Sequence, residues 1–266
     1  MSDITVSVIG CGSMGGAVIR AVCGKYDPKT VTISAKHFEH AQNLAFDVKC
    51  TAVDSNAKAA AAGKYVFIAV KPAYVADVMK EIAGVLRSDA VVISMAAGLS
   101  LEKLRTMTDR PVVRIMPNMP AQIGEAMTAL SCGDDVEAGR LADITALLEC
   151  AGKVEKVDEK LMDCVTAVSG SGPAYVFMFI EALADAAVRF GMPRAQAYVY
   201  AAQTVKGSAS MALADERCPA ALKDAVCSPA GTTIEGVAAL EKDGFRNAVF
   251  DAVKAAYDKS VSMGKK

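Results

Sequence analysis

Hydrophobic residues follow two different patterns along the chain, and the change comes near residue 158. Up to that point, short runs of mostly apolar residues alternate with helix-sized segments such as 72–86 and 101–107. The runs predict strands at 4–9, 31–34, 50–53, 65–70, 91–95, 112–116, 129–132 and 153–157. Because strands that are apolar almost throughout are buried on both faces, this alternation predicts a doubly wound, mostly parallel sheet covered by helices.

After residue 158 the strand-like runs stop and the composition becomes helical. The predicted helices, rich in Ala, Leu, Met and Lys, are 175–190, 194–213, 220–225 and 245–262. Glycine and proline stand between them, as they do at helix ends. The sequence therefore predicts an α/β domain over residues 1–158 and an all-α domain over residues 159–266.

The first of these helices has no polar face. Residues 175–180 are apolar around more than one full turn, so this part of the helix must be enclosed on all sides. A domain of this size buries only a limited fraction of its own surface, so a second copy of the chain is the expected cover. The alternative is burial against the α/β domain of the same chain. The helical domain is thus predicted to form a homodimer.

A glycine-rich turn joins the first predicted strand to a helix. It consists of Ile9, Gly10, Cys11, Gly12, Ser13, Met14 and Gly15. In this strand–turn–helix position, G-x-G-x-x-G is typical of a Rossmann-like dinucleotide site, where the diphosphate lies at the N-terminus of the helix. The alternative is a chance glycine-rich turn, as found in many α/β proteins.

The end of the second predicted strand indicates which dinucleotide is bound. Enzymes that use NAD place Asp or Glu there to accept a hydrogen bond from the ribose 2′-hydroxyl. This chain has no acid there, whereas Ser34 offers a donor for a 2′-phosphate and Lys36 a positive charge. NADP(H) is therefore the predicted cofactor, with NAD(H) as the alternative. Lys36 could equally be a solvated surface lysine.

Two further groups of residues are candidates for ligand binding. Ligands of such sheets bind beyond the carboxyl ends of the strands, which here hold Asn56, Ala69, Val70, Lys71, Pro72, Met95, Ala96, Ala97 and Asn118. In the helical half, the segment 228–233 opens a predicted helix, and its free N–H groups are suited to a carboxylate. Simple N-capping by Thr232 is the alternative.

Composition and charge exclude several classes of function. Hydrophobic residues make up 53% of the 266 and the net charge is −1, so the chain lacks the surplus of Lys and Arg that nucleic-acid binding needs. The first residues lead directly into a strand-like run, so we expect no signal peptide, and the uncharged stretch 164–180 is too short and too broken by 169–173 to be expected to cross a bilayer. We expect a cytoplasmic protein that binds a small molecule, not a membrane.

The eight cysteines do not indicate a metal site. They stand at positions 11, 23, 50, 132, 150, 164, 218 and 227, without a CxxC pair. Only His37 and His40 could add imidazole ligands. Free thiols in a reducing compartment, and no bound metal, are the expectation.

Five motifs together resemble the pyrroline-5-carboxylate reductase family. They are IGCGSMGGA at 9–17, AVKP at 69–72, MPNMP at 116–120, SGSGPAY at 169–175 and KDAVCSPAGTTIEGVAALE at 223–241. The resemblance covers residues 4–261, with two departures: Met119, where the family usually has Thr, and Ala230, where Gly is frequent.

The resemblance implies an activity and a set of contacts. The activity is reduction of 1-pyrroline-5-carboxylate to L-proline by hydride transfer to the imine carbon, in homodimers or larger assemblies of dimers. The implied cofactor contacts are Ser34, Asn56, 69–72 and 95–97. The implied substrate contacts are Ser228, Gly231, Thr232 and Thr233. Because an iminium carbon is already electrophilic, orientation matters more than a strong acid, and Thr233 is the candidate partner of the ring nitrogen.

Two other functions remain open at this point. A β-hydroxyacid dehydrogenase also joins a Rossmann-like domain to a helical one, but it needs a lysine base, and residues 175–189 contain no Lys. A non-catalytic NADP-binding regulatory module would keep the cofactor residues but would not need the 228–233 cluster.

Overall fold

A single sheet organises the first part of the chain in the computed structural model, which describes residues 4–264. Its strands are β1 Val6–Ile9, β2 Val31–Ser34, β3 Thr51–Ala52, β4 Tyr65–Ile68, β5 Val91–Ser94, β6 Val112–Met116, β7 Ala126–Cys132 and β8 Gly152–Lys156. Their order is β3-β2-β1-β4-β5-β6-β7-β8. All eight predicted strands are present, and β2 and β6 have the predicted bounds.

The sheet is parallel except at one step. Strands β1 to β6 run in the same direction, whereas β7 pairs antiparallel with β6 and parallel with β8. A parallel pair needs a crossover connection of a dozen or more residues. Only residues 117–125, with a 3₁₀ turn over Met119–Ile123, join β6 to β7. The short connection therefore forces the reversal, and the prediction of a mostly parallel sheet is confirmed.

Helices cover both faces of this sheet and are the main elements after β8. They are α1 Ser13–Cys23, α2 Phe38–Val48, α3 Asn56–Ala62, α4 Val75–Ile82, α5 Leu101–Arg105, α6 Ala138–Glu149, α7 Met162–Val165, α8 Gly172–Arg189, α9 Arg194–Ala214, α10 Pro219–Val226, α11 Thr232–Lys242 and α12 Phe245–Gly264. No strand follows β8 in residues 157–264. The predicted change from α/β to all-α organisation is confirmed.

Two hydrophobic clusters lie on opposite faces of the sheet. Phe67 of β4 joins one cluster with Val8 and Ile33, while its neighbour Ile68 joins the other with Val92. Successive side chains of a strand point to opposite faces, so both clusters use the same strands. This double burial explains why the strands are apolar throughout.

The chain folds into two compact units. One contains residues up to Ser171 together with the end of α12 from Ala256, and the other spans Gly172–Ala255. In the first unit, Ser260 of α12 donates a hydrogen bond to Asp163 at 2.5 Å. The predicted division into 1–158 and 159–266 assigns regions by their roles and stays a prediction.

The helical segment Glu159–Arg189 contains a bend at Ser171, so the expected break at 169–173 is present but short. Residues Thr166–Gly170 form a π-helical turn, and Pro173 stands at the second position of α8, where it interrupts no helix bond. By length and composition alone this segment could cross a membrane. Its apolar side chains are largely uncovered within the chain: Phe177 is 54% exposed and Met178 69%.

A close approach between α3 and β1 gives a test of the packing. A Cβ at Gly63 would lie 2.4 Å from the Ser7 hydroxyl oxygen and 2.8 Å from the Ser7 nitrogen. We expect Gly63→Ala to lower the free energy of unfolding by about 1–3 kcal/mol, because the backbone must move to admit a methyl group. Gly84, where a Cβ meets no described atom within 4 Å, provides the matched control.

Thermal and urea unfolding of both variants at equal protein concentration measure the effect. Gly84→Ala should change stability by less than about 0.5 kcal/mol. Equal stability of the two variants would contradict the described packing of α3 on β1.

Candidate functional site

The carboxyl ends of β1, β2, β4 and β5 lie next to one another at one edge of the sheet. The Gly10 nitrogen donates to the Ser34 oxygen at 2.8 Å, and the Ala69 nitrogen donates to the Ile9 oxygen at 2.8 Å. The Met95 nitrogen donates to the Ile68 oxygen at 3.1 Å. The residues predicted after these strands are therefore brought together.

The glycines of the glycine-rich turn differ in whether the fold leaves room for a side chain. Gly10 has a φ of +107°, and a Cβ there would lie 2.5 Å from the Ala69 oxygen. A Cβ at Gly15 would lie 1.9 Å from the Gly10 oxygen. At Gly12, by contrast, a Cβ would meet no atom of residues 4–264 within 4 Å. The fold itself requires Gly10 and Gly15, and only a molecule lying against the turn would require Gly12.

The N-terminus of α1 is suited to an anion. Gly12 is the N-cap residue and offers no side chain to the first N–H groups, those of Ser13, Met14 and Gly15. No acid stands in the first turn of α1, and its N–H groups and helix dipole favour a negative ligand. Burial raises the pKa of the Cys11 thiol to about 11, so this side chain stays neutral at physiological pH. A groove of about 560 Å³ extends from Cys11 and Gly12 between α1 and α2.

The end of β2 carries a hydrogen-bonded chain of three side chains. The Ser34 hydroxyl, in a residue only 1% exposed, donates to Asn56 Oδ1 at 2.9 Å. Asn56 Nδ2 donates in turn to Glu81 Oε2 at 2.7 Å. Ser34 therefore donates within the protein, and a hydrogen bond from it to a 2′-phosphate would need the bond to Asn56 to break.

Glu81, at this edge of the sheet, was not predicted from the sequence as a candidate site residue. It stands on the exposed face of α4, 25 positions after Asn56, and no motif contains it. Lys36 is exposed, and its ammonium lies 5.9 Å from the centre of the Tyr74 ring.

The remaining predicted cofactor residues differ in their surroundings. Ala69, Val70, Pro72, Met95 and Ala97 are half-buried, Ala96 is buried and Lys71 is exposed. The Asn118 side chain is engaged on both sides: Nδ2 donates to the Ser169 oxygen at 3.1 Å, and Oδ1 accepts from the Met127 nitrogen at 3.0 Å. It thereby ties the loop before β7 to the π-helical turn.

The 228–233 cluster forms a tight turn that leads into α11. The Gly231 nitrogen donates to the Ser228 oxygen at 3.1 Å, and a Cβ on Gly231 would lie 2.2 Å from the Ser228 hydroxyl oxygen. Ala230 has a φ of +55°, a left-handed conformation that glycine adopts more easily. This conformation gives a physical reason for the glycine that is frequent there in the family.

The idea that Thr232 merely caps this helix is wrong. The N-cap residue of α11 is Gly231, without a side-chain hydrogen bond, and Thr232 and Thr233 are the first two helical residues. Thr233 is half-buried and Thr232 exposed. The first N–H groups of α11 are thus left without a side-chain cap, as a carboxylate site would need.

Two family models match separate parts of the chain. The model for pyrroline-5-carboxylate reductase dimerisation matches residues 159–263, and the model for coenzyme F420-dependent NADP oxidoreductases matches residues 5–98.

Individual proteins match over nearly the whole length. The pyrroline-5-carboxylate reductase of Escherichia coli (strain K12) is 41% identical over 272 residues, which is 98% of each chain. That of Synechocystis sp. is 42% identical over 267 residues, covering 99% of this chain and all of the relative. The crystal structure of Plasmodium falciparum pyrroline carboxylate reductase with NADP bound is 31% identical, with a TM-score of 0.90 and 99% of each chain covered. The chain therefore belongs to the pyrroline-5-carboxylate reductase family.

Proposed function

We propose that this protein reduces 1-pyrroline-5-carboxylate to L-proline with NADPH, the final step of proline biosynthesis. The observation that carries the proposal is the glycine-rich turn, in which Gly12 is required by no contact of residues 4–264. The match over nearly the whole length to pyrroline-5-carboxylate reductases indicates the substrate. A relative of known structure binds NADP, which supports the choice of cofactor.

The residues at the carboxyl edge of the sheet fit a dinucleotide. The N–H groups at the start of α1 would hold the diphosphate, and Lys36 would supply positive charge near the adenosine ribose. The other proposed cofactor contacts are 9–15, Ser34, Asn56, 69–72, 95–97 and Asn118. Bound NADPH supplies a hydride to C5 of the pyrroline ring.

The start of α11 fits the substrate. The uncapped N–H groups near Gly231 and Thr232, with the Ser228 hydroxyl, would bind the carboxylate. The Thr233 hydroxyl would hydrogen-bond the ring nitrogen and so orient the imine. No charged acid is needed, because the protonated imine is electrophilic before it reacts.

The helical unit supports a homodimer. Tyr175, Met178, Phe179, Leu183, Leu240 and Phe245 line an apolar groove of about 470 Å³ within this unit. Contiguous apolar patches on a protein surface often mark sites of protein–protein contact. A second copy of the helical unit would cover them, and larger assemblies would be built from such dimers. We place the enzyme in the cytoplasm, where its eight cysteines, free in the structure, would stay reduced.

Turnover of the purified protein tests the proposed reaction. We expect NADPH oxidation with 1-pyrroline-5-carboxylate and formation of proline, and no turnover on a panel of β-hydroxyacids with NADP. Turnover of a hydroxyacid alone would favour a hydroxyacid dehydrogenase. Tight NADPH binding without turnover of any substrate would favour a regulatory module.

Replacement of Thr233 tests its role. Thr233→Ala keeps the backbone donors and removes the hydroxyl, so it should lose about 1.5–3 kcal/mol of transition-state stabilisation, as expected of a hydrogen bond to a charged group. That loss lowers kcat/KM by roughly tenfold to a little over a hundredfold. NADPH binding, measured separately, should be nearly unchanged. Thr233→Ser should recover much of the activity, whereas wild-type kinetics for Thr233→Ala would mean that this hydroxyl does not contact the substrate.

A charge in the apolar groove tests the assembly. Phe179 is 38% exposed, and its ring centre lies 6.0 Å from that of Phe245. Phe179→Glu should convert the dimer to monomer or prevent folding, because a buried unpaired charge costs about 3–5 kcal/mol. Phe46→Glu, at an 86% exposed position of α2, is the control and should remain dimeric. Sedimentation velocity at micromolar concentration distinguishes the outcomes, and an active wild-type monomer would refute the proposal.

A further inference from the structure

The two hydrogen bonds that link Ser34, Asn56 and Glu81 can each run in only one direction. A carboxylate only accepts hydrogen bonds, so the atom that Asn56 turns to Glu81 must be the donor Nδ2. The amide oxygen Oδ1 then faces Ser34, and a carbonyl oxygen also only accepts, so the Ser34 hydroxyl must donate to it. Glu81 therefore determines the direction of both hydrogen bonds.

These hydrogen-bond directions suit the ribose 2′-hydroxyl of NADH better than the 2′-phosphate of NADPH. A 2′-phosphate carries negative charge and, as the dianion, only acceptor oxygens, so it needs donors. Here the Ser34 hydrogen and one N–H of Asn56 are already directed elsewhere, and Oδ1 adds an acceptor. A 2′-hydroxyl, by contrast, can donate to an acceptor.

Glu81 is the last acceptor in this series of hydrogen bonds, and its carboxylate is negatively charged. No cation in the described part of the chain forms an ion pair with it. The end of β2 has no acid of its own, but it is linked through Asn56 to the carboxylate of Glu81 on α4.

We propose that Glu81 is a positioning residue that sets cofactor choice: by orienting the Asn56 amide, it lowers the preference for NADPH over NADH. The inference rests on the proposed function, since it concerns the cofactor of that reaction. It assigns the selectivity of the site to a side chain outside the glycine-rich turn and outside the end of β2.

The test is Glu81→Gln, which removes the charge at nearly constant shape. A glutamine can donate or accept, so the Asn56 amide is free to turn its N–H groups towards a phosphate. The ratio of kcat/KM for NADPH to kcat/KM for NADH should rise about threefold to tenfold, the size expected when one hydrogen bond is rearranged. Glu102→Gln, on the exposed face of α5, makes the same chemical change away from Asn56 and should leave the ratio unchanged.

A double-mutant cycle tests whether Glu81 acts through Asn56. In an Asn56→Ala background, Glu81→Gln should no longer change the ratio. An unchanged or lower ratio for the single variant would overturn the proposal. An equal rise in the Asn56→Ala background would also overturn it, because the carboxylate would then act only through its field.

Binding of 2′,5′-ADP and 5′-ADP separates this inference from the proposed reaction. Calorimetry with these two nucleotides requires no turnover, and Glu81→Gln should strengthen binding of 2′,5′-ADP relative to 5′-ADP by the same factor. If the wild-type protein reduces no 1-pyrroline-5-carboxylate while this binding ratio rises, the proposed function fails and the role of Glu81 stands. If turnover is normal and the binding ratio does not rise, the role of Glu81 fails alone.

Discussion

Backbone atoms of Gly10, Gly15 and Ala69 approach one another so closely that no side-chain carbon fits between them. This contact places the start of α1 against the ends of β1 and β4 and fixes the direction in which its first N–H groups point. Ser34 enters the same arrangement, because its carbonyl oxygen accepts from the Gly10 nitrogen and, at 3.4 Å, from the Cys11 thiol. The cofactor site that we propose therefore depends on backbone packing as much as on side chains.

In the helical unit, small residues fill the interior and large apolar side chains remain exposed. Its buried positions include Ala184, Ala197 and Ala201, where α8 and α9 pack through small residues. Large apolar side chains such as Phe177 and Met178 lie at the surface. Small residues allow the two helices to approach closely, and the exposed ones provide the area that association would bury. In the proposed dimer, a second copy would supply the cover that this unit's own residues do not.

Much of the fold could be predicted because its signals are local. Continuous apolar runs mark the buried strands, and Gly and Pro mark the ends of the helices in the second half. The reversal of β7 was not predicted, since it follows from the length of one loop and not from the composition of the strand. The expected break at 169–173 amounts to one bend, at Ser171, because a π-helical turn accommodates the residues just before it.

The candidate site could be predicted only in part, for a related reason. The glycine-rich turn is recognisable because its glycines keep a fixed spacing between a strand and a helix. Glu81 is not recognisable, because its role arises from a contact with Asn56 across two helices. Likewise, the sequence shows that Ala230 departs from the family, but only the backbone shows that this position is left-handed.

Direct transfer of hydrogen from the cofactor to the ring is the central claim of this account. It can be measured with NADPH deuterated at C4 of the nicotinamide and 1-pyrroline-5-carboxylate in ordinary water. Mass spectrometry and NMR of the product should find one deuterium, at C5 of proline. Proline without deuterium, deuterium at another carbon, or no proline at all would contradict the account.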